Sequence, residues 1–108
     1  MPAGTLRRAD VNAVIDAGFA RFLQTLDVEP SLDSGRFRGW TIVELRSEEL
    51  FGGVDLAVGD VVTSVNGLPI QRETEAFDAF ESLRGADQIS VVYARAGTSR
   101  TLSYKIVP

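Results

Sequence analysis

Carboxylates are the side chains in this sequence best placed for acid–base chemistry. Glu48 and Glu49 are adjacent, but successive residues of a helix point away from one another and make no facing acid–base pair. Asp33, Asp55, Asp60 and Asp87 stand singly in turn-like stretches, too dispersed for the roughly six to eight oxygen ligands of a calcium site. The chain has neither cysteine nor histidine, which removes thiol nucleophiles, Cys/His zinc sites and Ser-His-Asp triads together. A Ser–Lys pair would have to use Lys105, the single lysine, which falls in a closing strand. Glycine patterns for phosphate or dinucleotide binding are also missing. The expectation is therefore no catalytic site, no metal and no cofactor.

A net charge of -4 over 108 residues argues against a nucleic-acid partner, which needs a clustered basic face. The basic residues, all arginine but one, are scattered along the chain, a distribution that reads as solubility and intrachain pairing. Hydrophobic residues at 44% and charged residues at 24% are ordinary for one globular domain. No stretch approaches the roughly 20 apolar residues that span a bilayer, so this piece is not expected to span a membrane. "MPAGTLRRAD" lacks the apolar core of a secretory signal.

Several elements must position whatever site there is. Val11, Val14, Ile15, Phe19, Phe22, Leu23 and Leu26 recur at helical spacing, with Asp10 as N-cap and a break expected at Gly18. Around Val28 the chain turns extended, with Pro30 marking an edge or strand end. "DSG" turns into a strand from about Phe37 to Leu45 with apolar residues on both faces. "SEELFGG" reads as one helical turn capped by Ser47. Gly59 and Asp60 turn into the strand Val61 to Val65, and Asn66-Gly67 supplies the positive φ angles of a tight reversal. Thr74 caps a helix to Arg84 with Gly85 as its left-handed C′ residue. Strands from about Gln88 to Arg95 and Arg100 to Val107 close the chain.

"LAVGDVVTSVNGLPI" resembles the Leu-x-x-Gly-Asp…Asn-Gly segment of PDZ domains, and the following helix stands where the PDZ peptide-binding helix would. The lead-in "RADVNAVIDAGFARFLQTLDVEPSLDSGRFRGWTIVEL" is similar to that of the PDZ domain in the C component of bacterial type II secretion systems (the general secretion pathway protein C). The resemblance implies an α+β fold: a small antiparallel β-sheet or partly open barrel capped by two helices, with an extra N-terminal helical segment. It divides the chain into a lead-in, 1–27, and a PDZ-like domain, 28–108.

In that family an extended peptide adds to a sheet edge. The resemblance implies a groove formed by Arg36, Phe37, Arg38, Gly39, Trp40, Thr41 and Ile42, with Gly39 to Ile42 as its edge and Trp40 lining a pocket. Ala76, Phe77 and Phe80 would form the opposite wall. Phe77, Phe80 and Ile42 at regular spacing are more often core than ligand pocket, Trp40 reads as core or interface, and Arg36 and Arg38 as carboxylate binders or solvated charges. Two departures weigh against a free C-terminus as the guest. The hairpin "LDSGRFRG" leaves little spare backbone for a carboxylate loop, and no histidine begins the helix after Pro69. The implied function is a non-catalytic protein-interaction module of the secretion C component, in the periplasm on a parent anchored in the inner membrane. It would engage secreted substrates or other secretion subunits. The alternative is a regulatory or substrate-tethering PDZ domain of a membrane-associated or periplasmic protease.

Overall fold

The computed structural model describes residues 4–47 and 54–108. The chain forms β1 (Gly4–Arg7), α1 (Arg8–Ala17), α2 (Phe19–Leu23), β2 (Leu26–Asp33), β3 (Arg36–Leu45), β4 (Val61–Val65), β5 (Leu68–Pro69), α3 (Glu73–Ser82), β6 (Gln88–Arg95) and β7 (Thr98–Val107). A short 3-10 turn, Leu83–Gly85, follows α3. The helical turn expected over "SEELFGG" lies outside the described residues, apart from Ser47.

The strands form one open sheet in the order β1-β7-β6-β4-β3-β2, with β5 paired to β4. Pairing is antiparallel except at β1, which runs parallel to β7 with Leu6 opposite Ile106. The lead-in is thus not wholly helical: its first described residues add a strand. Three reversals use the left-handed backbone that short-loop hairpins require: Ser34-Gly35, Asn66-Gly67 and Ala96-Gly97, each with φ positive at both residues. Asn66 also ties its turn to β6. Its Oδ1 accepts the Ser90 N–H at 2.6 Å and its Nδ2 donates to the Gln88 carbonyl at 3.0 Å.

Val91 and Tyr93 of β6 and Leu102 and Tyr104 of β7 form a buried cluster, joined by Leu6, Val54, Leu56, Val62, Val65 and Ile89. The register places Val91 opposite Leu102 and Ile89 opposite Tyr104, so period-two alternation delivers these side chains to one face. Helices add Ile15 from α1 and Ala79 and Phe80 from α3 to the buried set. Gly18 (φ 100) separates α1 from α2, as the helix break in the sequence requires.

Helix ends depart from the expected caps. α1 starts at Arg8, with Asp10 inside its first turn rather than at the N-cap. Arg72, not Thr74, precedes α3, and its N–H donates to Glu75 Oε1 at 2.9 Å. Gly85 closes the 3-10 turn and is not among the positive-φ residues. The C-terminal carbonyls are met from the lead-in instead: Arg8 Nη1 donates to Leu83 O and Arg84 O, both at 3.0 Å, and Nη2 to Ala86 O. A guanidinium at a helix C-terminus satisfies orphan carbonyls and suits the dipole.

Asp60 is 2% exposed. Its carboxylate accepts Arg95 Nε at 2.9 Å and Arg95 Nη2 at 2.8 Å, a bidentate pair, and also the Ala57 N–H at 2.9 Å. The Arg95 hydrogen bonds hold the Asp60 carboxyl below the usual carboxylate range, outweighing the opposing effect of burial. Gly59 (φ 98) donates its N–H to Ile42 O, and Ile42 donates to Asp60 O, both at 2.8 Å. The Gly-Asp turn therefore docks on β3.

Two expectations follow. Asp60→Asn leaves Arg95 without its counter-charge and costs about 3 kcal/mol, the low end for a broken buried pair because Arg95 is partly solvated. Asp60 has a lower pKa folded than unfolded, so its contribution is full above the ordinary carboxylate pKa and is lost as pH falls below about 5. Thermal melts across that range show this acid limb in the native chain and a shallower one in Asp60→Asn; equal limbs would refute the assignment. At Gly39 a Cβ would collide with the Val62 carbonyl oxygen, so Gly39→Ala lowers stability by about 2 kcal/mol or more in urea denaturation. An unchanged midpoint would refute the close strand approach.

Candidate functional site

The hairpin residues expected to form a groove edge occupy an interior strand. Trp40 pairs with Pro30 of β2 on one side and with Val62 of β4 on the other; Thr41 lies between Glu29 and Val61. Ile42 is engaged by Val28 and by the Gly59-Asp60 turn. Strand addition at Gly39 to Ile42 is thus blocked by pairing already made. The end of the sheet on this side is β2. Pro30 stands in the middle of β2 and has no N–H to donate to an added strand. Such a proline also guards an edge against non-specific pairing.

Burial divides the remaining candidates. Ile42 is 1% exposed and Gly39 is buried, whereas Arg36 and Arg38 are exposed. Phe37 packs edge-on against Trp40, with centroids 5.2 Å apart. Trp40 is half-buried, and its indole N–H donates to the Ile70 carbonyl at 2.6 Å. That bond fastens the connection between β5 and α3 to β3 and gives the indole a structural task. Gly59, Asp60, Asn66 and Gly67 serve as turns, as described above.

On α3, Ala76 is half-buried, Phe80 is 6% exposed and Phe77 is 44% exposed. The two phenylalanines, alike in the sequence, thus have different surroundings. Phe80 meets Phe19 at 5.3 Å and Phe22 at 5.2 Å, while Phe77 meets only the edge of Phe19 at 5.6 Å among the described ring contacts. The apolar face of α3 is therefore partly covered by α2 of the lead-in. Arg84, in the turn after α3, pairs with Asp16 of α1 at 2.7 Å. Sequence periodicity marked Phe19 and Phe22 as an apolar stripe but carried no sign of which element they would meet.

Two shallow clefts flank α3. One, of about 310 Å³, is lined by Phe19, Glu73, Thr74, Phe77 and Asp78. The other, of about 130 Å³, is lined by Leu68, Pro69, Glu75 and Asp78. Glu73, Thr74, Glu75 and Asp78 were not among the residues the sequence assigned to a groove; Thr74 was read only as a helix cap, and nothing local showed that a cleft would form beside them. Among the described residues no group of three or more His, Cys, Asp or Glu side chains is arranged to hold a metal. No described helix is long and apolar enough to cross a membrane.

No family model matches the chain. Type II secretion system protein C from Aeromonas salmonicida and its counterpart from Aeromonas hydrophila are each 29% identical over 72 residues. The matched region is 67% of this chain, which spans only about a quarter of the length of those curated relatives. Among solved structures, the PDZ domain of the pullulanase C protein of the type II secretion system from Klebsiella pneumoniae, in complex with fatty acid, superposes with a TM-score of 0.58 at 18% identity. It covers 88% of this chain and 98% of its own. The PDZ domain of EpsC from Vibrio cholerae gives 0.60 at 18% identity, covering 90% and 95%. The chain has a PDZ fold, and its resemblance is to the PDZ domains of type II secretion C proteins.

The division between Phe80 and Phe77 is measurable. Phe80→Ala empties a site packed against two rings and costs about 3–5 kcal/mol in urea denaturation, whereas Phe77→Ala costs about 1 kcal/mol or less. Equal losses would mean that α2 does not cover α3 as described.

Proposed function

We propose that the chain is a non-catalytic protein-interaction module of a type II secretion C component, contributing to recognition of secreted substrates or to assembly of the machinery. The observation that carries this reading is the joint match: sequence similarity over 72 residues to two secretion C proteins, and a PDZ fold likeness extending over most of the chain. The same reading puts the module in the periplasm, as part of a parent anchored in the inner membrane. Its partners are proteins or peptides, not nucleic acid, in keeping with a net charge of -4.

Of the residues first assigned to the groove, the exposed ones are those free to meet a partner: Phe77 on α3, and Arg36 and Arg38 at the hairpin. Gly39, Ile42 and Phe80 are buried and are not available to a partner. We place the partner-binding face along α3. Nothing observed favours the protease-associated alternative over this one.

The test is genetic. Removing residues 28–108 from the parent gene, in the organism that makes it, abolishes or sharply reduces export of type II substrates while the parent stays in the membrane fraction. Undiminished export with the shortened parent would overturn the reading.

A further inference from the structure

Asp78 sits in the middle of α3, where aspartate is a poor helix former and too far from the N-terminus to profit from the dipole. Glu73 and Glu75, in the first turn, do profit from it. Asp78 has no such structural reason to be there, yet it lines both clefts beside α3.

The clefts combine an apolar floor with a rim of one charge sign. Phe77 is 44% exposed and Leu68 39% exposed, and Phe19 and Pro69 complete the apolar walls. The charged residues lining the clefts are Glu73, Glu75 and Asp78, with no cation among them. Arg72 immediately precedes the helix and Arg21 lies on α2, but neither lines a cleft. A free C-terminal carboxylate is repelled by such a rim; an apolar side chain flanked by cations is matched on both counts. Pro30, in the middle of β2, shifts recognition away from a continuous backbone ladder and toward side chains seated against α3.

We propose that the α3 face binds an internal protein segment that presents an aromatic or large aliphatic side chain with arginine or lysine close on either side. The apolar side chain enters the cleft lined by Phe19 and Phe77, and the flanking cations meet Glu73 and Asp78. This rests on the interaction-module reading and names the class of segment that the module selects.

The experiment is an amide NMR titration of the whole 108-residue chain with three C-terminally amidated peptides: a central phenylalanine flanked by arginines, the same peptide with glutamates in place of the arginines, and the arginine peptide with alanine in place of phenylalanine. The arginine–phenylalanine peptide shifts the amides of 73–78 and Leu68 and binds about tenfold or more tighter than either control, less so as salt rises. Asp78→Asn and, separately, Glu73→Gln each weaken it about threefold or more. Glu73 is exposed, so Glu73→Gln retains the fold even if Asp78→Asn does not. Equal binding of the arginine and glutamate peptides, shifts confined to another face, or no binding by any peptide would each overturn the proposal. If export requires residues 28–108 while the peptides show no charge preference, the interaction module stands and its basic–apolar selectivity falls. If export does not require them, the module reading fails on its own account.

Discussion

The Asp60 carboxylate, nearly sealed from solvent, is gripped by two Arg95 nitrogens and one backbone N–H, and the positions of β3, β4 and β6 depend on that contact. Burying a carboxylate is costly unless its lone pairs are met, so the turn before β4 is stable only with the end of β6 beside it. Arg95 also reaches the Asp55 carbonyl at 3.4 Å and lies over the Tyr93 ring at 5.4 Å, tying the turn to the buried cluster. Once the turn is fixed, its backbone takes up the N–H and C=O of Ile42, and β3 becomes an interior strand.

That arrangement decides which strand stands at the edge of the sheet. With β3 paired on both sides, the outer position falls to β2, whose central proline leaves it a poor template for another strand. Exposed apolar side chains lie at Phe77 of α3 and Leu68 of β5, and also at Leu23, Leu32, Val43 and Val58. The lead-in is a structural part of this surface: β1 joins the sheet beside β7, Arg8 meets the carbonyls after α3, and Phe19 forms one wall of the larger cleft. A shorter version lacking α1 and α2 would present a different α3 face.

Much of the local structure was legible in the sequence. β4 and β6 occupy the expected residues, Gly18 breaks the lead-in helix, and Asn66-Gly67 reverses the chain. These outcomes follow from side-chain periodicity and from φ preferences, both properties of a few consecutive residues. The PDZ resemblance was legible for the same reason, since its Gly-Asp and Asn-Gly spacing reports one turn–strand–turn unit. Residue type and spacing also excluded thiol and imidazole chemistry, because a chain without cysteine or histidine cannot supply either.

Tertiary structure decided what depends on partners distant in sequence. Strand periodicity in Arg36–Leu45 is the same for an edge and an interior strand, and only the pairing with β4 and the Gly-Asp turn made it interior. Phe77 and Phe80 share one amphipathic stripe, yet α2 buries the second and leaves the first half in solvent. Asp10 and Thr74 have good capping side chains, but the N-caps fell three and two residues earlier, at Arg7 and Arg72. The sequence by itself determined β4, β6, the Gly18 break, the Asn66-Gly67 turn and the absence of Cys/His chemistry, because each is set by local conformational preference or by residue type. The free edge, the covered phenylalanine and the acidic rim around α3 are products of long-range packing, which no short stretch of the sequence contains.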